Sequence, residues 1–192
     1  MSRIAAALIA VLAASPAFAH TGGALVAGLA SGFAHPFSGL DHLLAIIAVG
    51  LWAAQGGGRA VWLLPIAFPV AMALGAVVGA SGVELPEVEI GIALSVLALG
   101  ALVAFAVRLP ALGGAALVAV FAVLHGHAHG AEVPAAADPI GYGAAFILAT
   151  VILHLIGIGL GLSFKSPRAE RFVRAGGAAI ALAGVSLISA IA

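Results

Sequence analysis

Apolar runs of roughly membrane-crossing length recur along this chain, and only short connections separate them. They fall at about Leu40 to Ala54, Ala60 to Ala80, Val88 to Val107, Ala111 to His127, Ile140 to Phe164 and Phe172 to Ile191. A hydrocarbon core about 30 Å thick takes roughly 20 apolar residues per crossing, so these runs read as six transmembrane helices. Charged residues make up 7% of the 192 positions and hydrophobic ones 64%, whereas a soluble domain carries about a quarter charged residues. Lipid is therefore the expected solvent, and the expected fold is an all-α polytopic membrane protein. A single transport domain over residues 20–192 leaves no room for a soluble one. The first run is short for a crossing. The Gly-rich lead before it, Thr21 to Ala34, is also too short to span and is interrupted by Pro36. Such a lead is expected to form a half-helix or re-entrant piece packed on protein, because unpaired backbone is not tolerated against lipid.

Residues 1–19 have the layout of a signal peptide. Arg3 supplies the positive start, Ile4 to Leu12 the apolar stretch, and Ala17-Phe18-Ala19 a small-x-small cleavage site. Cleavage there would start the mature chain at His20, whose free α-amine and imidazole form a chelating pair. Cysteine is absent, so disulfides and thiolate ligands are excluded. Net charge is zero, and no basic stretch is interleaved with aromatic residues, which argues against nucleic acid as a partner.

Orientation follows from the cations. Arg59, Arg108, Lys165, Arg168, Arg171 and Arg174 all fall in alternate connections, and positive connections stay cytoplasmic. The other connections hold Glu84, Glu87, Glu89, Glu132 and Asp138. Both mature termini and the acidic loops are thus expected on the periplasmic side of an inner membrane, in agreement with an exported N-terminus.

On that topology the metal-binding side chains gather at one depth. His35, Asp41 and His42 stand at the outer entrance of the first crossing, and His125, His127 and His129 at the outer exit of the fourth. With about 3.6 residues per turn, His125 and His129 share a helix face, and Glu132 continues it if the helix extends that far. His127 points elsewhere. An ionisable group such as Asp41 is costly in a membrane segment unless it is paired or faces water. It is read as a direct ligand or as the acceptor that sets an imidazole tautomer. Imidazole and carboxylate suit nickel, cobalt and zinc, while the lack of cysteine and only two methionines argue against a copper(I) site. Glu89 either reaches the same vestibule or stabilises a helix N-terminus. His154 lies roughly 20 Å into the fifth crossing, as a relay ligand or a core histidine. The expected metal-binding set is therefore His35, Asp41, His42, Glu89, His125, His129 and Glu132, with His20, His127 and His154 as secondary members.

Two stretches carry a resemblance to a known family. His35-Pro36-Phe-Ser-Gly39-Leu-Asp41-His42 resembles the first motif of the HupE/UreJ nickel/cobalt permeases, and His125-Gly126-His127-Ala128-His129-Gly130-Ala131-Glu132 resembles the second. The resemblance implies six helices after a signal peptide, and a function in supplying metal for hydrogenase or urease maturation. It further implies that His35, Asp41, His42, His129 and Glu132 are required for transport, with His125 close behind, and that Glu89 and Phe68 occupy matching positions. The sequence departs from the family pattern at Leu124, often Phe in the family, and at His127, which fills the variable place.

The leading reading is a permease that passes Ni²⁺ or Co²⁺, with Zn²⁺ also accommodated, into the cytoplasm by facilitated diffusion. No prosthetic group is expected, since the metal is cargo. The lipid bilayer and the ion are the expected partners, with a homo-oligomer left open. No phosphate-binding Gly-x4-Gly-Lys-Ser/Thr loop occurs, so the membrane potential is the simplest driver. Two rival readings are an intramembrane zinc hydrolase, with Asp41 or Glu132 as general base, and a membrane metal sensor.

Overall fold

A computed structural model describes residues 23–131, 138–163 and 166–191. The proposed signal peptide, His20, Glu132 and Lys165 lie outside them. The described residues form seven helices: α1 (Gly23–Ser38), α2 (Leu40–Gly56), α3 (Ala60–Ala80), α4 (Val88–Ala104), α5 (Ala111–Ala131), α6 (Pro139–Ser163) and α7 (Pro167–Ile191). The protein is all-α and polytopic. Helices α3, α5, α6 and the Glu170–Ile191 part of α7 are each long and apolar enough to cross a membrane, and α1 with α2 makes a fifth span if the bent pair counts as one.

The lead to α2 differs from the sequence expectation. Pro36 lies inside α1, and the chain instead turns by 77° between α1 and α2. Gly39, with extended backbone angles, is the pivot. Proline removes one helical donor, but so near the C-terminus of α1 that loss leaves few further turns to disturb. Gly39 serves a second purpose, because a Cβ there would press on Asp41 Oδ1 and His42 Nδ1 at 2.8 and 2.9 Å.

Several helix limits also move. α7 opens on Pro167, earlier than its apolar run, because proline is favoured in the first turn of a helix whatever its polarity. α4 stops at Ala104 after 17 residues, a length of about 25 Å at 1.5 Å per residue. Its last carbonyls find side-chain donors. Gln55 Nε2 donates to Val103 O at 3.1 Å, Arg174 Nε to Ala104 O at 2.8 Å, and just beyond the helix Trp52 Nε1 donates to Val107 O at 2.7 Å. These bonds satisfy acceptors that lipid could not.

Helix α2 is the hub, packed against every other described helix, while the most extensive seams join α3 to α5 and α4 to α7. Lipid tails supply no hydrophobic drive for helices to associate, so close backbone packing must do so. The α3–α5 seam shows how. A Cβ at Gly75 or Gly79 would collide with the carbonyls of Val123 or His127, and one at Gly126 or Gly130 with those of Met72 or Ala76. Gly50 and Gly157 allow α2 and α6 to touch in the same manner. The outer surface remains apolar: Trp62, Ile66, Val70, Leu74 and Val77 run as one exposed stripe along α3, while Leu64, Phe68 and Met72 are buried on its other side. That inversion is expected when the surroundings are hydrocarbon.

Candidate metal site

The glycine seam also determines where the histidines of α5 point. Gly126 and Gly130 lie against α3, and successive helix residues turn by about 100°, so His125 and His129 project to one side of that seam and His127 to the other. His127 Nε2 donates to Val83 O at 2.6 Å, in the connection between α3 and α4. It is tied to structure outside the ring cluster.

His125 and His129 meet two histidines from the α1–α2 bend. The His42 ring lies 4.2 Å from that of His129 and 4.7 Å from that of His125, between centroids. The His35 ring lies 4.7 Å from His129 and 6.2 Å from His42. Four imidazoles from three helices thus share one buried volume. Phe146 and Tyr142 of α6 and Phe68 of α3 wall it, with Phe146 4.4 Å from His129 and Phe68 5.8 Å from His125. His42, His125 and His129 are buried, and Asp41 is about half-buried beside them.

Hydrogen bonds orient the rings. Asp41 Oδ1 lies 2.6 Å from His42 Nδ1, and a carboxylate accepts, so His42 presents its Nε2 lone pair. Ser95 does the same for His125. Its single hydroxyl proton goes to Ile92 O at 2.7 Å, so at 2.8 Å the oxygen accepts from His125 Nε2. His125 Nδ1 is then the free lone pair. Tyr142 OH bonds His35 Nδ1 at 3.0 Å. His42 Nε2, His125 Nδ1 and both nitrogens of His129 are buried with no hydrogen-bond partner among the described residues. Leaving such groups unsatisfied costs about 1–3 kcal/mol each, so the cluster has unused coordinating capacity. Among the described residues no three His, Asp or Glu side chains are already arranged to close around an ion.

The other sequence-designated residues lie apart. Glu89 is exposed in the first turn of α4 and makes no hydrogen bond to the cluster among the described residues. His154 is buried deeper in α6, its ring 5.3 Å from Phe68. Ser95 was invisible to sequence reasoning, since one serine in an apolar helix gives no signal until its neighbour is known. An apolar cavity of about 270 Å³ between α3, α5 and α6 touches the cluster edge at His129.

Fold and site together define a multi-pass membrane protein with a buried, carboxylate-oriented histidine cluster. The HupE / UreJ protein family matches residues 8–187. The Protein HupE of Rhizobium leguminosarum bv. viciae is 48% identical over 188 residues, spanning 97% of each chain. This chain belongs to the HupE/UreJ family, and is accordingly a membrane transporter and not an enzyme. No solved structure matches it.

Proposed function

We propose that the chain is a permease carrying a divalent transition-metal ion, Ni²⁺ or Co²⁺, into the cytoplasm by facilitated diffusion, to supply hydrogenase or urease maturation. The observation that carries this reading is the convergence of His35, His42, His125 and His129, where nitrogens of His42, His125 and His129 have no hydrogen-bond partner among the described residues. An incoming hydrated ion would exchange part of its water shell for these imidazoles. Asp41 orients His42 and brings negative charge to the ion, while Ser95 holds His125 with Nδ1 available. Borderline ions such as nickel and cobalt accept that donor set.

The reading includes a cleaved signal peptide over residues 1–19, six crossings in an inner membrane, and both mature termini on the periplasmic side. Contacts at the opposite end of the bundle from the cluster support the orientation, since Arg174 caps α4 close to the connections that hold Arg59 and Arg108. Glu132 and Glu89 are assigned to ion capture at the outer mouth, as is His20 if cleavage frees its amine. The potential is an adequate driver, because moving a divalent ion inward across 100 mV releases about 4.6 kcal/mol.

The test is uptake of radioactive nickel and cobalt into cells expressing the full chain, beside His42→Ala and His129→Ala variants confirmed in the membrane. Uptake above empty cells that collapses in both variants supports the permease, and the metal with the larger signal is its substrate. Equal uptake with and without the chain overturns it.

A further inference from the structure

Beneath the histidine cluster lies a second group of polar atoms with no partners among the described residues. His154 is 1% exposed and Thr150 is 0% exposed. Both ring nitrogens of His154 and the Thr150 hydroxyl are buried without a hydrogen-bond partner among the described residues. The two residues are one turn apart on α6, so their side chains share a face. Within this protein His127 illustrates a structural histidine, anchored to the Val83 carbonyl. His154 has no such anchor, although a buried imidazole in a membrane helix is expensive unless something occupies it.

The neighbours of His154 place it on a line from the cluster. Phe68 is fully buried and in ring contact with His125 at 5.8 Å and with His154 at 5.3 Å. Below His154, α2 and α6 touch at Gly50 and Gly157. Two turns beyond His154, at Gly161, a polar cavity of about 260 Å³ is lined by Gln55, Arg108 and Glu170. Gln55 Oε1, also buried, has no partner among the described residues either. From His154 to Gly161 is about 10 Å along the helix at 1.5 Å per residue.

We infer that His154 and Thr150 form an inner station for the same divalent cation, separated from the outer histidine cluster by the Phe68 side chain and leading to the Gln55 cavity. This rests on the permease reading. One imidazole and one hydroxyl leave most coordination positions to water, so the station binds more weakly than the outer cluster. A conduction path needs that gradation, since a site that holds an ion tightly does not release it. Phe68 keeps the two stations from forming one continuous polar channel, and an ion passes when that ring turns aside.

The experiment pairs nickel and cobalt uptake with metal binding by the purified full chain, for wild type and for His154→Leu and His154→Cys. With His154→Leu the uptake rate is expected to fall at least about tenfold, while affinity at the outer cluster stays within about twofold and the thermal midpoint is not lowered, because an unpartnered imidazole has gone. With His154→Cys part of the uptake is expected to return, with preference shifted towards the thiophilic ion Cd²⁺. A purely structural histidine would give no such shift. If His154→Leu fails to reach the membrane, Thr150→Val carries the test, with slower uptake and unchanged outer affinity expected. Wild-type uptake by His154→Leu, or by Thr150→Val in that case, overturns the inner station and leaves the permease intact. A wild-type chain that moves no metal overturns both.

Discussion

Ser95 Oγ lies 2.8 Å from His125 Nε2, and both residues are fully buried. The serine proton is already given to Ile92 O, so this contact makes the serine an acceptor and leaves His125 Nδ1 with the free lone pair. Ser95→Ala should therefore weaken nickel or cobalt binding to the purified chain by about 10- to 100-fold, the usual effect of losing a residue that orients a ligand. Co²⁺ absorption spectra and binding titrations would record it. Affinity equal to wild type would show that His125 needs no help from α4.

Asp41 does the corresponding work for His42, at 2.6 Å. Asp41→Asn keeps the shape but replaces a charged acceptor with an amide, so His42 loses its fixed tautomer and the site loses its negative charge. Uptake is expected to drop by about tenfold or more while the protein still reaches the membrane. Undiminished uptake would place Asp41 outside the transport machinery.

The three histidines of α5 should separate sharply. His129 packs against His42 and His35, whereas His127 donates to Val83 O. His127→Gln retains a donor for that carbonyl and should leave uptake within about twofold. His129→Gln should reduce it by about tenfold or more on the same 10- to 100-fold scale. Similar losses in both would mean that the glycine seam does not set the rotation of α5.

That seam can be probed by stability. Gly126→Ala drives a methyl group into the Met72 carbonyl, while the same change at Gly113 meets nothing within 4 Å. Overpacking a tight contact costs about 1–3 kcal/mol or more, so Gly126→Ala should lower the thermal midpoint in detergent, and uptake with it. Gly113→Ala should be neutral or stabilising by up to about 1 kcal/mol, from the gain in helix propensity. Equal midpoints would refute the close α3–α5 contact.

At the bend, Gly39→Ala would place a Cβ at 2.8 Å from Asp41 Oδ1 and 2.9 Å from His42 Nδ1. The pair must then move, and uptake should decrease more than stability does. Measuring both on one preparation decides it: a variant that loses stability but transports normally per folded molecule would contradict the role given to Gly39.

Much of this protein is legible from its residues in order. Apolar runs predict the helices because lipid permits little else, and His125 and His129 are matched by helical period alone. Reading Pro36 as the break failed because proline near a helix end costs little, while Gly39, which lacks a Cβ, leaves room for the Asp41–His42 pair. The end of α4 at Ala104 depends on donors from α2 and α7, which no local pattern of α4 contains. Phe68 drew notice only through family resemblance, as its place between two histidines exists only after α3, α5 and α6 have packed.

The sequence by itself determined the solvent, the helical class and the inventory of imidazole and carboxylate groups, since hydropathy and residue chemistry are properties of the chain read one window at a time. Tertiary structure decided which nitrogens are left without partners. That depends on contacts between distant segments: Ser95 occupies one nitrogen of His125, Val83 anchors His127, and no group among the described residues hydrogen-bonds either nitrogen of His129 or His154. A hydrogen bond needs its two atoms within about 3 Å, and only the packing of helices against one another brings them there.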